Sequence, residues 1–403
     1  MFRRFVQTAS MWRSFRIPTA TRQFERTQDS GTSKNKTRIF PKKLRSRVRA
    51  LRPYNTPILQ YEHDDFETRD SVIIGSVMTI KSLLLPVKTG RSENLHLPLG
   101  MGGSFYGLDH QQHQGEPDIL AALETALEQG ITHFDTATGY GDGYSERLLG
   151  RFMRAKPNRR EQMFLASKVD LDIISPKAIM TAIDASLERL QTNVIDLYYL
   201  HWPRTARDMR PWMVGLETAR QQGKIRAIGV SNFSVLQMEQ LAEVGQIDVC
   251  QLGYNLLWRF GEKDIIPYCT AHNISIVVYS ALAHGILSGK YKRQLEFVAT
   301  DQRWSISLFK PNVWQQVYES VETMKALAAR ENFSLANLSL RWLLRQKSVN
   351  SVLASAKNKQ QVLTNAHALE IEIPDSVLDE LTAISDRVIR LIPDEGNPFG
   401  YHP

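Results

Sequence analysis

The chain has 403 residues, 42% hydrophobic and 23% charged, a soluble globular composition large enough for one big domain or two ordinary ones. Its formal charge of +8 is uneven: residues 1–60 carry 15 Lys or Arg against two acids, and residues 61–77 carry five acids and one Arg. The remainder is therefore within a charge of neutral, which argues against a nucleic-acid surface there, and only two cysteines, Cys250 and Cys269, leave no disulfide framework and make a reducing compartment the default.

The basic head over residues 1–77 is rich in Arg, Ser and Thr and shows little apolar periodicity. Its composition suits an organelle transit peptide, with a mitochondrial or plastid matrix as destination. The amphipathic pattern is imperfect, because Arg13 and Arg16 fall beside Phe2, Phe5 and Ala9 on a helix. A disordered tail, or an extension upstream of a shorter protein beginning at Met78, accounts for the same residues and gives a cytoplasmic location. "SVIIGSVMTI" is too short for a membrane span of about 20 apolar residues.

From Leu83 a rhythm sets in. "LLLPVKTGRSENLHLPLG" holds a turn between two apolar runs, a hairpin that closes the bottom of a barrel. "LHLPLGM" is strand-like, and "PDILAALETALEQG" has apolar residues at helical spacing with a terminal Gly. "ITHFD" then predicts a strand and "SERLLGRFMR" a helix. "MFLASK" is followed by "SPKAIMTAIDASLERLQ", with Ser175 as N-cap and Pro176 at the first helical position. The pairs continue through "VIDLYYLH" and "PWMVGLETARQQG", "IRAIGVS" and "SVLQMEQLAEVG", then "IDVCQLGY" and "DIIPYCTAHN". "SIVVYS" leads into a long connection and two helical stretches, and "VNSVLAS" precedes "NKQQVLTNAHAL" and a closing helix, "PDSVLDELTAISDRV".

Eight strand-then-helix units in order argue for a parallel sheet. In this length they fit a closed (β/α)8 TIM barrel, an α/β fold of about 250 residues plus insertions. The barrel is placed over residues 82–388, with 389–403 as a C-terminal tail. An open doubly wound sheet is the rival. Its Gly-x-Gly-x-x-Gly turn is missing, since "LGMGGSFYG" has the wrong spacing.

In such a barrel the chemistry sits where the strands end. Strand two ends in Asp135, strand three in Lys168, strand four in His201, strand five in Ser231–Asn232, strand six in Gln251 and strand seven in Tyr279–Ser280. Each has an ordinary structural explanation alone: a turn carboxylate, a solvated lysine, a satisfied histidine. Three ionisable groups on consecutive strand ends are harder to explain so, because buried charges need partners. Tyr140 lies five residues beyond Asp135, and Gly139, Gly141 and Gly143 supply the backbone freedom to fold it over the mouth. Lys168 would lower the pKa of the phenol, Asp135 would hold the ammonium, and Tyr140 would protonate a carbonyl oxygen as hydride reaches the carbon. His201 would donate a hydrogen bond to the same oxygen.

These residues resemble the aldo-keto reductase superfamily. The likeness rests on "FDTATGYGDGYSERLLG", "LASK", "LYYLHWP", "IRAIGVSNFS", "QLGYNLLWR" and "VYSALAHGILSGKY", in order and at compatible spacing. It implies a tetrad of Asp135, Tyr140, Lys168 and His201. It further implies that Ser231, Asn232 and Gln251 hold a nicotinamide carboxamide over Tyr279. Gly103, Ser104 and Asp135 also fall in the implied cofactor set, and Ser280, Leu282, Gly285, Lys290 and Arg303 follow the pyrophosphate. "LASAKNKQQVLTN" is similar to the adenine-side motif, with Ala354 and Ser355 in place of Pro and Gly and with Lys357, Gln361 and Asn365 retained. Lys357 facing a 2′-phosphate favours NADPH over NADH, and a point charge leaves NADH usable.

Phe105 and Trp202 are the implied walls for a small carbonyl substrate. No metal is expected, because His110 and His113 lack acidic or Cys partners, and neither a nucleic-acid nor a membrane partner is implied. Arg303, Trp304 and Phe309 lie in the long loop 281–311, which suits closure over a cofactor or plain anchoring to the barrel. The resulting expectation is NADPH-dependent reduction of an aldehyde or ketone. An NADP-binding regulatory or sensor subunit with slow turnover is the alternative, and a metal-dependent barrel hydrolase is a third reading.

Overall fold

The structure is a computed structural model that describes residues 97–104, 106, 115–204, 207–299, 301–393 and 399. The basic extension 1–77, the turn read within 83–100, Phe105, His110, His113 and most of the tail 389–403 lie outside the described residues.

The elements run β1 Leu99–Gly102, α1 Glu116–Glu128, β2 His133–Asp135, α2 Tyr144–Arg154, β3 Phe164–Val169, α3 Pro176–Leu190, β4 Ile195–Leu200 and α4 Arg210–Gln221. They continue with β5 Ile225–Ser231, α5 Val235–Ala242, β6 Val249–Gly253, α6 Ile265–Ala271 and β7 Ser275–Tyr279. The last are α7 Pro311–Arg330, α8 Leu335–Arg345, β8 Ser351–Leu353, α9 Lys359–Glu370 and α10 Asp375–Ile389. Every strand pairs in parallel with its sequence neighbours, and β1 closes on β8 through Leu99–Val352 and Gly100–Leu353. The fold is a closed (β/α)8 barrel, and the open-sheet rival is ruled out.

The strands read as near-continuous apolar runs because both their faces are buried. Successive side chains alternate between the inside of the barrel and the helix layer. Ala166, Leu197, Tyr199, Ala227, Val249, Val277 and Leu353 pack together inside, flanked by Phe164 and Tyr279. Leu165, Tyr198, Leu200, Ile228, Val230, Leu252 and Val278 point outward into the layer under the helices. Each such helix buries one stripe: α3 turns Ile179, Ile183 and Leu190 onto the sheet, all fully buried, and each is worth roughly 2 kcal/mol. Ser175 caps α3 by accepting from the Ala178 N–H at 3.1 Å, and Pro176 opens its first turn, as the sequence predicts.

The seventh crossover carries two helices. Of these, α8 packs on β8, whereas α7 lies against α10. No helix among the described residues is long and apolar enough to cross a membrane.

Candidate active site

β2 ends inside the barrel mouth at Asp135, which is 3% exposed. The register sets Asp135 beside Ala166, so Lys168 stands one pleat further along the same inward face of β3. Its ammonium, fully buried, donates to Asp135 Oδ1, to the Thr136 carbonyl at 2.9 Å and to the Tyr140 hydroxyl at 3.4 Å. Burial works against the charged amine, but Asp135 and then Tyr140 outweigh it and hold Lys168 above the ordinary lysine range. The other Asp135 oxygen, Oδ2, accepts from Gln251 Nε2 at 2.9 Å. The pair is thus the kind of buried charge that persists only with its remaining hydrogen bonds made.

The loop after β2 is stitched to β3 by the Thr136 N–H to the Ala166 carbonyl (2.8 Å) and the Thr138 N–H to the Lys168 carbonyl (2.9 Å). It turns back through Gly141 (φ 62°), Asp142 (φ 51°) and Gly143 (φ 75°), and Gly139 is not among the residues with positive φ. Two of the three glycines, rather than all three, supply the left-handed backbone. The turn places the Tyr140 ring 5.0 Å from the Lys168 ammonium and 5.7 Å, edge-on, from the His201 ring.

The expected lowering of the Tyr140 pKa is corrected by the structure. Burial raises it, Lys168 pulls it down, and the charges of Asp135 and Asp170 push it up, so the phenol ends above its ordinary value. Tyr140 is a protonated phenol at neutral pH, which leaves it a proton to give.

His201 follows β4 and is held through Nδ1, 2.8 Å from Asp170 Oδ2. Its carbonyl accepts from Asn232 Nδ2 at 3.1 Å, and its ring lies 6.0 Å from Trp202. Trp202 in turn meets Phe399 edge-on at 5.9 Å. Asp135, Lys168, Tyr140 and His201 therefore converge on one mouth.

The remaining predicted residues line one side of that mouth. Asn232, in a left-handed conformation at φ 65°, donates to Ser231 Oγ at 3.1 Å and accepts from the Tyr279 hydroxyl at 2.7 Å. The Tyr279 ring crosses Gly253, where an added Cβ would stand 3.3 Å from its Cζ. Gly103 donates its N–H to the Asp135 carbonyl at 2.7 Å, and Ser104 follows it in the turn. Ser355 Oγ would lie 2.7 Å from a Cβ on Gly102, so it closes on the end of β1.

Beyond β7 the chain runs through positive φ at Ser280 (56°), Ala283 (46°), His284 (55°) and Gly285 (88°), with Leu282 partly buried between them. Within it the Ala283 N–H donates to the Ser280 carbonyl at 2.7 Å and the Gly285 N–H to the Leu282 carbonyl at 2.8 Å, so the turn is tied to itself. Lys290 lies against Gly285, and its amine is held below the usual lysine range by partial burial and then by the charges of Arg303 and Lys357. Three cations from the 280s loop, the 300s loop and the start of α9 are thus close enough to repel. Lys357 and Gln361 meet through the Lys357 N–H and Gln361 Oε1 at 2.8 Å, and Asn365 is buried one turn further along α9. Arg303 is more committed than expected: it pairs with Asp301 (Nε to Oδ1, 2.9 Å), donates to the Tyr291 hydroxyl at 3.1 Å and stacks on Phe297 at 3.8 Å.

Two titratable neighbours of the site escaped the sequence reading. Asp170 stands two residues past Lys168, and period-two spacing along "SKVD" was the available signal. His284, whose Nε2 lies 3.2 Å from Ser280 Oγ, is pushed down to about 4 by burial and had no sequence signal.

Comparison with known proteins gives the following. A sequence model of the Aldo/keto reductase family matches residues 98–386. Aldo-keto reductase YhdN of Bacillus subtilis is 32% identical over 271 residues, which are 65% of this chain and 80% of the relative. The NADH-specific methylglyoxal reductase of Escherichia coli is 30% identical over 286 residues, 65% of this chain and 86% of the relative. Among solved structures, the glycerol dehydrogenase of Gluconobacter oxydans superposes with a TM-score of 0.64 at 29% identity, covering 72% of this chain and 92% of that one. An aldo/keto reductase from Klebsiella pneumoniae in complex with NADP and acetate gives 0.58 at 27% identity, covering 74% and 93%.

Proposed function

The chain belongs to the aldo/keto reductase family, and from that premise we propose that it reduces an aldehyde or ketone to the alcohol with NADPH, Tyr140 giving the proton. Membership makes it an NAD(P)H-dependent oxidoreductase of carbonyl and alcohol groups. The observation that carries the finer reading is the position of Lys168, clasped by Asp135 and 3.4 Å from the Tyr140 hydroxyl in the barrel mouth.

The residues present fit a dinucleotide phosphate. Lys290 is disfavoured as a cation by partial burial and then by Arg303 and Lys357, and an anion among them relieves that repulsion. Ser231, Asn232 and Gln251 offer amide and hydroxyl partners suited to a carboxamide, beside the flat face of Tyr279. Bound there, a reduced nicotinamide supplies the hydride.

Everything else falls to the chain. As the substrate oxygen gains negative charge, the protonated Tyr140 delivers its proton to it. The Lys168 ammonium, fixed by Asp135 and the Thr136 carbonyl, stabilises the phenolate left behind. Solvent then restores the phenol. The mouth is lined by Trp202, Tyr140 and His201, aromatic surfaces that suit a small substrate with apolar character.

The test is loss of NADPH absorbance by the full chain with a panel of aldehydes that includes methylglyoxal, the substrate of a relative. Turnover is expected, and Tyr140→Phe should cut kcat/KM by about 10²–10⁴-fold. No oxidation with any aldehyde, or an unchanged Tyr140→Phe, overturns the reading. A regulatory subunit would share the cradle and differ in rate, so steady-state turnover separates the two.

A further inference from the structure

If the reductase reading holds, an oxygen that becomes an alcohol sits beside His201, and what that ring can do depends on where its proton is. His201 Nδ1 and Asp170 Oδ2 are 2.8 Å apart. An ionised carboxylate only accepts, so the proton between them belongs to Nδ1. Asp170 stays ionised beside the neutral ring: burial works against its charge, but the His201 hydrogen bond, then the charges of Arg204 and Lys168, favour the carboxylate. A neutral imidazole carries a single N–H. With that proton on Nδ1, the nitrogen left for a ligand, Nε2, bears a lone pair.

We propose that Asp170 is a positioning residue that fixes neutral His201 as the Nδ1–H tautomer, so that Nε2 accepts hydrogen bonds in the mouth and donates one only when the ring is an imidazolium. This alters the simple donor role expected for His201. A carbonyl oxygen is an acceptor and needs the imidazolium. An alcohol is a donor and suits the neutral ring. The two directions of the reaction therefore call for different charge states of one side chain, and the kinetic part of the inference rests on the reductase reading.

Among the described residues, few other charges face the ring. Asp170 approaches from the β3–α3 connection, with Arg204 behind it paired to Asp172 at 3.2 Å. Lys168 lies toward the barrel interior, and the protonated Tyr140 phenol presents its ring edge-on from the β2–α2 loop. Trp202 and the Asn232 amide are uncharged.

The test is nitrogen NMR of the full chain carrying isotope-labelled histidine, with the His201 signals identified by their loss in His201→Gln. At a pH where the ring is neutral, the wild type should show a protonated Nδ1 and a bare Nε2. Asp170→Ala should swing the ring to the Nε2–H form that free imidazole favours. A wild type in the Nε2–H form overturns the proposal, as does an Asp170→Ala ring still protonated at Nδ1. Should that variant fail to fold, the wild-type spectrum alone decides.

Kinetics supply a second readout. With NADPH and benzaldehyde, wild-type kcat/KM should fall about tenfold from low to high pH, and Asp170→Ala should flatten that fall to within about twofold. Parallel pH profiles count against the proposal. A chain with the Nδ1–H spectrum that reduces no aldehyde refutes the reductase reading and leaves the tautomer assignment standing.

Discussion

The Lys168 ammonium stands 3.4 Å from the Tyr140 hydroxyl and 5.0 Å from its ring centre, and still Tyr140 keeps its proton. The amine's pull is outweighed by burial and by the anions on either side, Asp135 and Asp170. In the proposed mechanism, Lys168 therefore serves the phenolate after transfer more than it acidifies the phenol before it. Removing it also strands Asp135, which is 3% exposed. Lys168→Met should lower stability by about 3–5 kcal/mol in urea unfolding and abolish turnover. Adding Asp135→Asn should return much of the stability and none of the activity. A stable, active Lys168→Met would contradict the assignment.

The second prediction concerns the cation cluster. Lys290 is disfavoured as a cation by partial burial and then by Arg303 and Lys357, so a phosphate placed among them relieves part of that cost as well as making contacts. Lys357→Met should weaken NADPH binding about tenfold, about 1.4 kcal/mol, and leave NADH within about twofold. Lys290→Met should weaken NADPH at least as much. Fluorescence titration of the two cofactors checks both, and equal losses for NADH and NADPH would detach Lys357 from the 2′-phosphate.

Much of this was legible beforehand because barrels write their site into strand ends. "HFD", "LASK" and "YYLH" each stop an apolar run on an ionisable residue, and closure of the sheet brings those ends to one mouth. The net shift on Tyr140 was not legible, since it depends on how deeply the phenol is buried, which no spacing reports. Asp170 was masked by its ordinary look as a turn carboxylate. Nor do amphipathic patterns say which helix covers the barrel: α7 and α8 both show an apolar stripe, and packing alone sends α7 to α10.

A third prediction follows from the barrel interior beneath the site. His133 is fully buried, with Nδ1 2.9 Å from Ser351 Oγ and no partner at Nε2. Burial pushes its pKa down to about 4, so the folded ring stays neutral where the unfolded one, at about 6.5, takes a proton. The stability tied to this neutral ring is complete above pH ~6.5 and is lost as pH falls toward about 4. The loss should be on the order of 3 kcal/mol. Urea unfolding at pH values across this window measures it, and His133→Gln should flatten the slope there. An unchanged slope in the variant would assign the acid sensitivity elsewhere.

The last prediction tests how the site is supported from below. Tyr199 is wholly buried inside the barrel, its ring centre 5.8 Å from the Lys168 ammonium. The ring has room because its neighbour in register on β5 is Gly229: a Cβ there would lie 2.2 Å from Tyr199 Cδ1. Strand backbone is tied on both sides, so Gly229→Ala forces the ring to move rather than the strand. The ring lies beside Lys168, which with Gln251 holds Asp135, so a displaced ring disturbs that support. Gly229→Ala should therefore cost about 3 kcal/mol and lower kcat together. Tyr199→Leu in the same chain gives the new methyl space, and the double variant should regain most of the stability by urea unfolding, a non-additivity that only contact between the two positions produces. Additive losses would mean that Tyr199 and Gly229 act independently and that the floor of the site rests on other residues.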